Sequence, residues 1–282
     1  MRRLLTLEYY KNFTYRPFQI FSILYFAIII GLLFIGLVDI NVTEGFQINL
    51  KEQGIYNFPG IWNFTTWIVA ILKIFLGLII VFSICQEFTN RMFKQNTIDG
   101  LSRGEFITSK LITIFIFTLI STVVVFILTL ILGFSYSEST DSKLVYEEMF
   151  FILHYFLKLF AFFSFLMFIS VLFRKSIFVL LALFLWWILE AILSGVESFI
   201  KFKGLANEQA AAVMQESFFF SKILPLESMS QLLPNPIMRL KAAKIFGVPY
   251  QFQYPTESVI ACIIWCALFI FGSYWILKKR DW

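Results

Sequence analysis

Six stretches of about 20 mostly apolar residues, the length that crosses about 30 Å of hydrocarbon as a helix, dominate this chain. They cover residues 18–38, 62–85, 111–134, 149–173, 176–194 and 258–277. The first, third and sixth carry no ionisable charge; the second holds Lys73, the fourth His154 and Lys158, and the fifth Glu190. Composition agrees. Of 282 residues 59% are hydrophobic and only 15% charged, with a mean hydropathy of +0.81, which leaves too little polar surface for a water-soluble globule of this size. A membrane β-barrel would show short alternating strands rather than unbroken Phe, Ile and Leu. Three cysteines and seven prolines do not suit a disulfide scaffold or a disordered chain. The expected fold is all-α: one polytopic domain over residues 1–282, built as a six-helix transmembrane bundle.

An even number of spans puts both termini on one side, and the short loops say which. Arg2, Arg3, Lys11, Arg16, Arg91, Lys94, Arg103, Lys110, Arg174, Lys175, Lys278, Lys279 and Arg280 fall on one face. The short loops of the other face offer Lys51 and Lys143. A further six basic residues, from Lys201 to Lys244, lie in a long segment that translocates regardless of charge. The termini are therefore expected in the cytoplasm. The first apolar run is too long for a signal peptide and lacks a small-residue cleavage site, so it reads as a span. The net charge of +5 reads as an orientation signal and an attraction to anionic lipid, not as a nucleic-acid footprint.

Three segments are not spans. Residues 1–17 mix Leu4, Leu5, Leu7, Tyr9 and Tyr10 with four basic side chains and close at Pro17, which suits an interfacial helix on the inner surface. Residues 195–257, on the outer face, contain a helix-forming stretch over 206–224. Pro225, Pro234 and Pro236 then break the chain, and a short basic amphipathic piece covers 237–246. Short helices resting on the bundle are expected there. Residues 86–110 are the most informative. Both signs of charge alternate through Glu87, Arg91, Lys94, Asp99, Arg103 and Glu105. Ser102 and Glu105 have the spacing of a capping box, so the third helix should start there, before its apolar run. Glu87 and Arg91, four apart, would form an ion pair if the second helix continued past its apolar run.

Much chemistry is missing. The sequence has no phosphate-binding GxxxxGK[ST] loop, so this chain does not hold ATP in that way. His154 is the only histidine and has no cluster of metal ligands around it in sequence, so no metal is expected. Glu147-Glu148 followed by His154 faintly resembles the paired-glutamate motif of intramembrane CAAX-type proteases, but no Arg follows the pair and later spans bring no histidine. Ionisable groups within the spans remain: Lys73, His154, Lys158 and Glu190. A charge at mid-depth costs at least about 2.5 kcal/mol on insertion scales and marks a functional candidate. Lys73 and Lys158 lie about 14–16 Å from the outer ends of their runs; Glu190 is shallower unless its helix continues to about residue 200. One lysine could line a polar cavity while the other pairs with Glu190. Both could equally snorkel or pair between helices.

In the order of its parts the chain resembles the permease subunits of type-2 ABC exporters. A basic surface helix, six spans, a charged segment between spans two and three, and proline-broken helices before span six all fit. The closest local likeness is Glu87 at the end of span two, then Leu101-Ser102-Arg103-Gly104-Glu105-Phe106 and Lys110 opening span three. Ile223-Leu224-Pro225-Leu226 is a weaker one. The resemblance implies a cytoplasmic ATP-binding partner carrying ATP and Mg, a second permease copy or a homologous permease, and a location in the cell inner membrane amid lipid. Glu87, Arg91, Lys94, Asp99, Ser102, Arg103 and Glu105 would receive the partner's motion, and an amphipathic or hydrophobic substrate would move outward. The alternative is a membrane anchor or assembly subunit that transports nothing.

Overall fold

A computed structural model of the chain describes residues 8, 11, 14, 16–34, 40–43, 46–48, 53–203, 219–236 and 254–279. Helix α1 (Arg16–Phe34) comes first, followed by an antiparallel ribbon of β1 (Ile40–Thr43) and β2 (Phe46–Ile48) that pairs Ile40 with Ile48. Next are α2 (Ile61–Ile71), α3 (Lys73–Thr89), the short α4 (Met92–Ile98), α5 (Arg103–Tyr136), α6 (Ser142–Glu147), α7 (Phe150–Phe173) and α8 (Ser176–Phe202). Two short helices, α9 (Phe219–Ile223) and α10 (Pro225–Gln231), precede α11 (Thr256–Lys279). Five helices, α1, α5, α7, α8 and α11, are long and apolar enough to cross a membrane, α7 counted together with α6. Taken as one broken span, α2 and α3 make a sixth. The chain is a polytopic helical protein, and the ribbon lies outside the spans.

The described part of each apolar stretch lies mainly in helix, but the boundaries move. Pro17 lies in the first turn of α1, a position that tolerates its fixed φ and missing N–H. Span two is not straight: α2 and α3 differ by 42° across Leu72, whose N–H makes the tightened bond to Val69 O at 2.9 Å. Helix α8 runs on to Phe202, well past residue 194, and this brings Glu190 about 18 Å inward from the helix end. The expected surface helix over 1–17 lies almost wholly outside the described residues, as do the basic piece at 237–246 and the first part of the helix at 206–224.

The chain divides into two compact units, to both of which α3, α5 and α7 contribute residues. The first comprises Met1–Ile79, Ile112–Leu159 and Leu233–Tyr254. Its described helices are joined by a few buried polar contacts. Tyr25, Ser121 and Tyr155 close a ring of hydroxyls at 2.6, 2.8 and 3.0 Å, in which three O–H groups supply three bonds. Trp62 stacks on Phe126 at 5.7 Å and donates Nε1–H to Val145 O at 2.8 Å; Tyr56 donates to Leu33 O at 2.7 Å. Gly133 of α5 admits the ring of Phe58 so closely that a Cβ there would stand 2.3 Å from it.

The second unit comprises Ile80–Leu111, Phe160–Leu232 and Pro255–Trp282. Phe269 of α11 packs between Phe165 and Phe168 of α7 at 4.9 and 5.7 Å, and Phe165 also meets Trp186 of α8 at 5.6 Å. Gly272 lets the Phe168 ring approach; a Cβ would come within 2.8 Å of it.

Gly133→Val should displace Phe58 from its seat and destabilise the protein by about 1–3 kcal/mol, the usual cost of overpacking. A lowered unfolding midpoint in detergent, with helix content unchanged before the transition, is the expected result.

Candidate functional site

The charged segment between spans two and three folds into the second unit. Helix α3 ends at Thr89, and Arg91 then takes a left-handed conformation, φ 57°, which costs a residue with a Cβ roughly 1–2 kcal/mol. Helix α4 follows and is closed by a Schellman turn: Leu101 N–H donates to Asn96 O at 2.9 Å and Gly100 N–H to Thr97 O at 3.2 Å, with Gly100 at φ 94°. The capping box forms as its spacing predicts. Glu105 N–H donates to Ser102 Oγ at 3.1 Å, and Ser102 N–H to Glu105 Oε2 at 2.8 Å.

The expected Glu87–Arg91 pair is not the one the fold uses. The helix ends before Arg91, so the two residues do not share a face, and Glu87 pairs instead with Lys110 of α5. Both side chains of that pair are only 3% exposed, and the Lys110 ammonium also lies over the Phe106 ring, 5.3 Å from its centroid. Around it Phe93 meets Phe106 edge-on at 4.7 Å, and Phe88 contacts both at 5.5 and 5.9 Å. Phe93 is the one buried residue of α4. The rest of that helix is exposed, including Lys94 and the apolar Ile98 at 85%.

Of the residues singled out in sequence, Arg91, Lys94 and Asp99 are exposed around α4, and Ser102 and Glu105 build the cap. Arg103 turns back into its own chain. Its Nη1 donates to Leu277 O at 2.8 Å and Lys278 O at 2.6 Å, at the C-terminal end of α11. Arg174, counted in sequence only as a loop charge, sits at φ 61° with its guanidinium over Phe88 at 5.6 Å. No local spacing links Arg174 to Phe88.

The intramembrane candidates separate. Lys73 is half-buried and opens α3 just past the break. Lys158 is buried on α7, and His154, one turn earlier, is hydrogen-bonded to Tyr254 Oη at 2.9 Å. Glu190, 1% exposed, accepts Trp186 Nε1–H and the backbone N–H groups of Leu226 and Glu227, both at 2.9 Å, at the start of α10. Seven residues on, Glu197 does the same for α9, accepting from Phe219 N and Phe220 N at 2.8 Å each. Sequence reasoning missed Glu197; its signal was the two-turn spacing from Glu190. Opposite them, Trp265 of α11 donates to Ile223 O at 2.7 Å, and Cys262 Sγ lies 3.6 Å from Ser228 Oγ. Among the described residues no three His, Cys, Asp or Glu side chains group as metal ligands.

A family model described as ABC-2 family transporter protein matches residues 99–282. No match is found among curated proteins.

Glu87→Gln or Lys110→Met alone leaves a buried charge uncompensated and should cost about 3–5 kcal/mol, whereas the double substitution should recover much of that loss. A double-mutant cycle on the unfolding midpoint in detergent measures the coupling. Glu227 offers a pH test. Burial first, then the neighbouring Glu190 carboxylate, push its carboxyl above the ordinary carboxylate value. The stability this lends is full below the ordinary value and lost as pH rises through the raised one. Glu227→Gln should therefore flatten the decline in thermal midpoint as pH rises above the ordinary carboxylate range, about 4.

Proposed function

The chain belongs to the ABC-2 family of transporter proteins, and from that premise we propose that it is the permease subunit of an ATP-driven exporter in the cell inner membrane, with both termini cytoplasmic. Family membership makes it a multi-pass membrane component of a transporter and implies association with an ATP-binding subunit. ATP and Mg would then reside on that subunit, and a second permease, identical or homologous, would complete the membrane part.

The observation that carries the proposal is the build of α4. It is a short exposed helix pinned by one buried ring, Phe93, beside a buried ion pair, and it displays Arg91, Lys94 and Asp99 outward. A helix that only connected two spans would need neither the anchor nor the pair. In the proposed cycle the partner docks on α4, the exposed charges select and orient it, and closure on ATP pushes the helix. The push reaches α3 and α5 through the contacts of Phe93 with Phe88 and Phe106. Glu87 and Lys110 keep those two helices together while this happens, since separating them would strand two charges in a medium that cannot solvate them. Outward movement of an amphipathic or hydrophobic substrate is the transport step the reading assigns.

Purified in mild detergent, the chain should bring an ATP-hydrolysing subunit in fixed ratio and raise its turnover. Charge reversal at Arg91 and Lys94 together should weaken that association by about ten-fold or more, ~1.4 kcal/mol. Absence of any nucleotide-hydrolysing partner, with the chain held in some other complex, would favour the non-transporting anchor instead.

A further inference from the structure

We propose that Arg103 is a positioning residue that straps the start of α5 to the end of α11, so that displacement of α4 is delivered to the short helices α9 and α10. This rests on the permease reading above and adds a route to it. All the parts belong to one compact unit, which holds Ile80–Leu111, Phe160–Leu232 and Pro255–Trp282.

The route begins at Phe93, which packs on Phe106 at 4.7 Å, one turn along α5 from Arg103. The Arg103 guanidinium then donates to two of the last carbonyls of α11, at 2.8 and 2.6 Å. These carbonyls belong to the last turn of α11, at the negative end of the helix dipole, so a cation is a favoured partner. The start of α5 meets α11 there as well: a Cβ on Gly104 would stand 3.8 Å from the Tyr274 ring, an ordinary packing distance. Helix α11 is continuous from Lys279 back to Thr256, and along that length it holds α9 through Trp265 to Ile223 O and α10 through Cys262 and Ser228. Lys222 and Glu257, 2.8 Å apart, add an ion pair at its far end. The other side of the short helices is fixed to α8, because Glu190 and Glu197 cap their N-termini. When α11 shifts while α8 stays, α9 and α10 must tilt or break a cap.

An arginine that merely docked the partner would point outward, as Arg91 and Lys94 do from exposed positions. Arg103 is half-buried and spends its donors within its own chain. Its substitution should therefore uncouple the short helices from nucleotide without releasing the ATP-binding subunit.

The test uses the whole permease with its ATP-binding subunit in nanodiscs, and a reporter, Ser230→Cys, on the exposed part of α10. The native Cys85, Cys262 and Cys266 are buried and stay unlabelled by a membrane-impermeant maleimide. With Arg103 intact, ATP and Mg should change the labelling rate of the reporter. Arg103→Gln should keep the complex together and shrink that change about ten-fold, within the ordinary range of coupling between sites. Arg103→Lys, which retains a cation for the carbonyls, should restore most of it. A second arm does not depend on the folding of Arg103→Gln: cysteines at Gly104 and Tyr274, joined by a short thiol cross-linker with Arg103 present, should leave the ATP-dependent change intact. The proposal is overturned if the reporter never responds to ATP, if Arg103→Gln preserves the response or releases the ATP-binding subunit, or if the cross-link abolishes the response. Failure of the intact chain to bring down any ATP-binding subunit overturns the permease reading itself and is seen before any variant is made.

Discussion

Helix ends are the costly places in a protein solvated by hydrocarbon. The first four N–H and last four C=O groups of each helix have no intrahelical partner, and no water is present at depth to take its place. A set of polar side chains among the described residues is spent there. Tyr56 serves Leu33 O at the end of α1, Trp62 serves Val145 O in α6, Trp265 serves Ile223 O at the end of α9, and Arg103 serves Leu277 O and Lys278 O at the end of α11. Glu190 and Glu197 serve the starts of α10 and α9, and Ser102 with Glu105 serves the start of α5. Each of these contacts satisfies a backbone group and, in all but the last, also joins two elements. Part of the tertiary arrangement thus comes from contacts that finish the helices, alongside the hydroxyl ring, the aromatic packing and the Glu87–Lys110 pair.

This changes the meaning of a buried charge. Glu190, nearly fully buried on an otherwise apolar helix, reads in sequence as a candidate for substrate or for a lysine partner. In the fold it accepts backbone N–H groups from the positive end of α10, an arrangement that favours negative charge on its oxygens. Glu87 solves the same problem differently, by pairing with Lys110 beside an aromatic cluster. A carboxylate that caps a helix can exchange partners when the helix tilts, because several N–H groups point the same way. A point-charge pair between two helices cannot slide without loss. The two solutions thus suit different mechanical duties, a pivot at α10 and a clamp between α3 and α5.

What the residues alone disclosed follows the same division between local and distant causes. The spans were legible because about 20 apolar residues have few alternatives, and the capping box because its partners are three positions apart. The Glu87–Arg91 pair was misread because it needed one more turn of helix, and the left-handed backbone at Arg91 ends the helix first. The partners of Glu190 lie 36 and 37 positions away in sequence, beyond the reach of any local spacing. Hydropathy says that a segment enters the membrane, not which backbone group lies beside its one carboxylate.

On the permease reading, the segment around α4 also separates recognition from transmission. Its charges lie on the exposed side, where salt and water screen them and where a pair contributes little energy but much selectivity. Its only buried residue is Phe93, held by two rings. In the proposed cycle a force applied to α4 would leave through an apolar contact that is stiff because it is close-packed, and the charges would choose what applies the force. The strained backbone at Arg91 and the left-handed Gly100 bracket this short helix at both ends. They let α4 meet α3 and α5 through turns rather than as a continuation of either. The lever of the proposed cycle would need such joints at its ends and a firm seat in its middle, and the segment from Glu87 to Phe106 has both features.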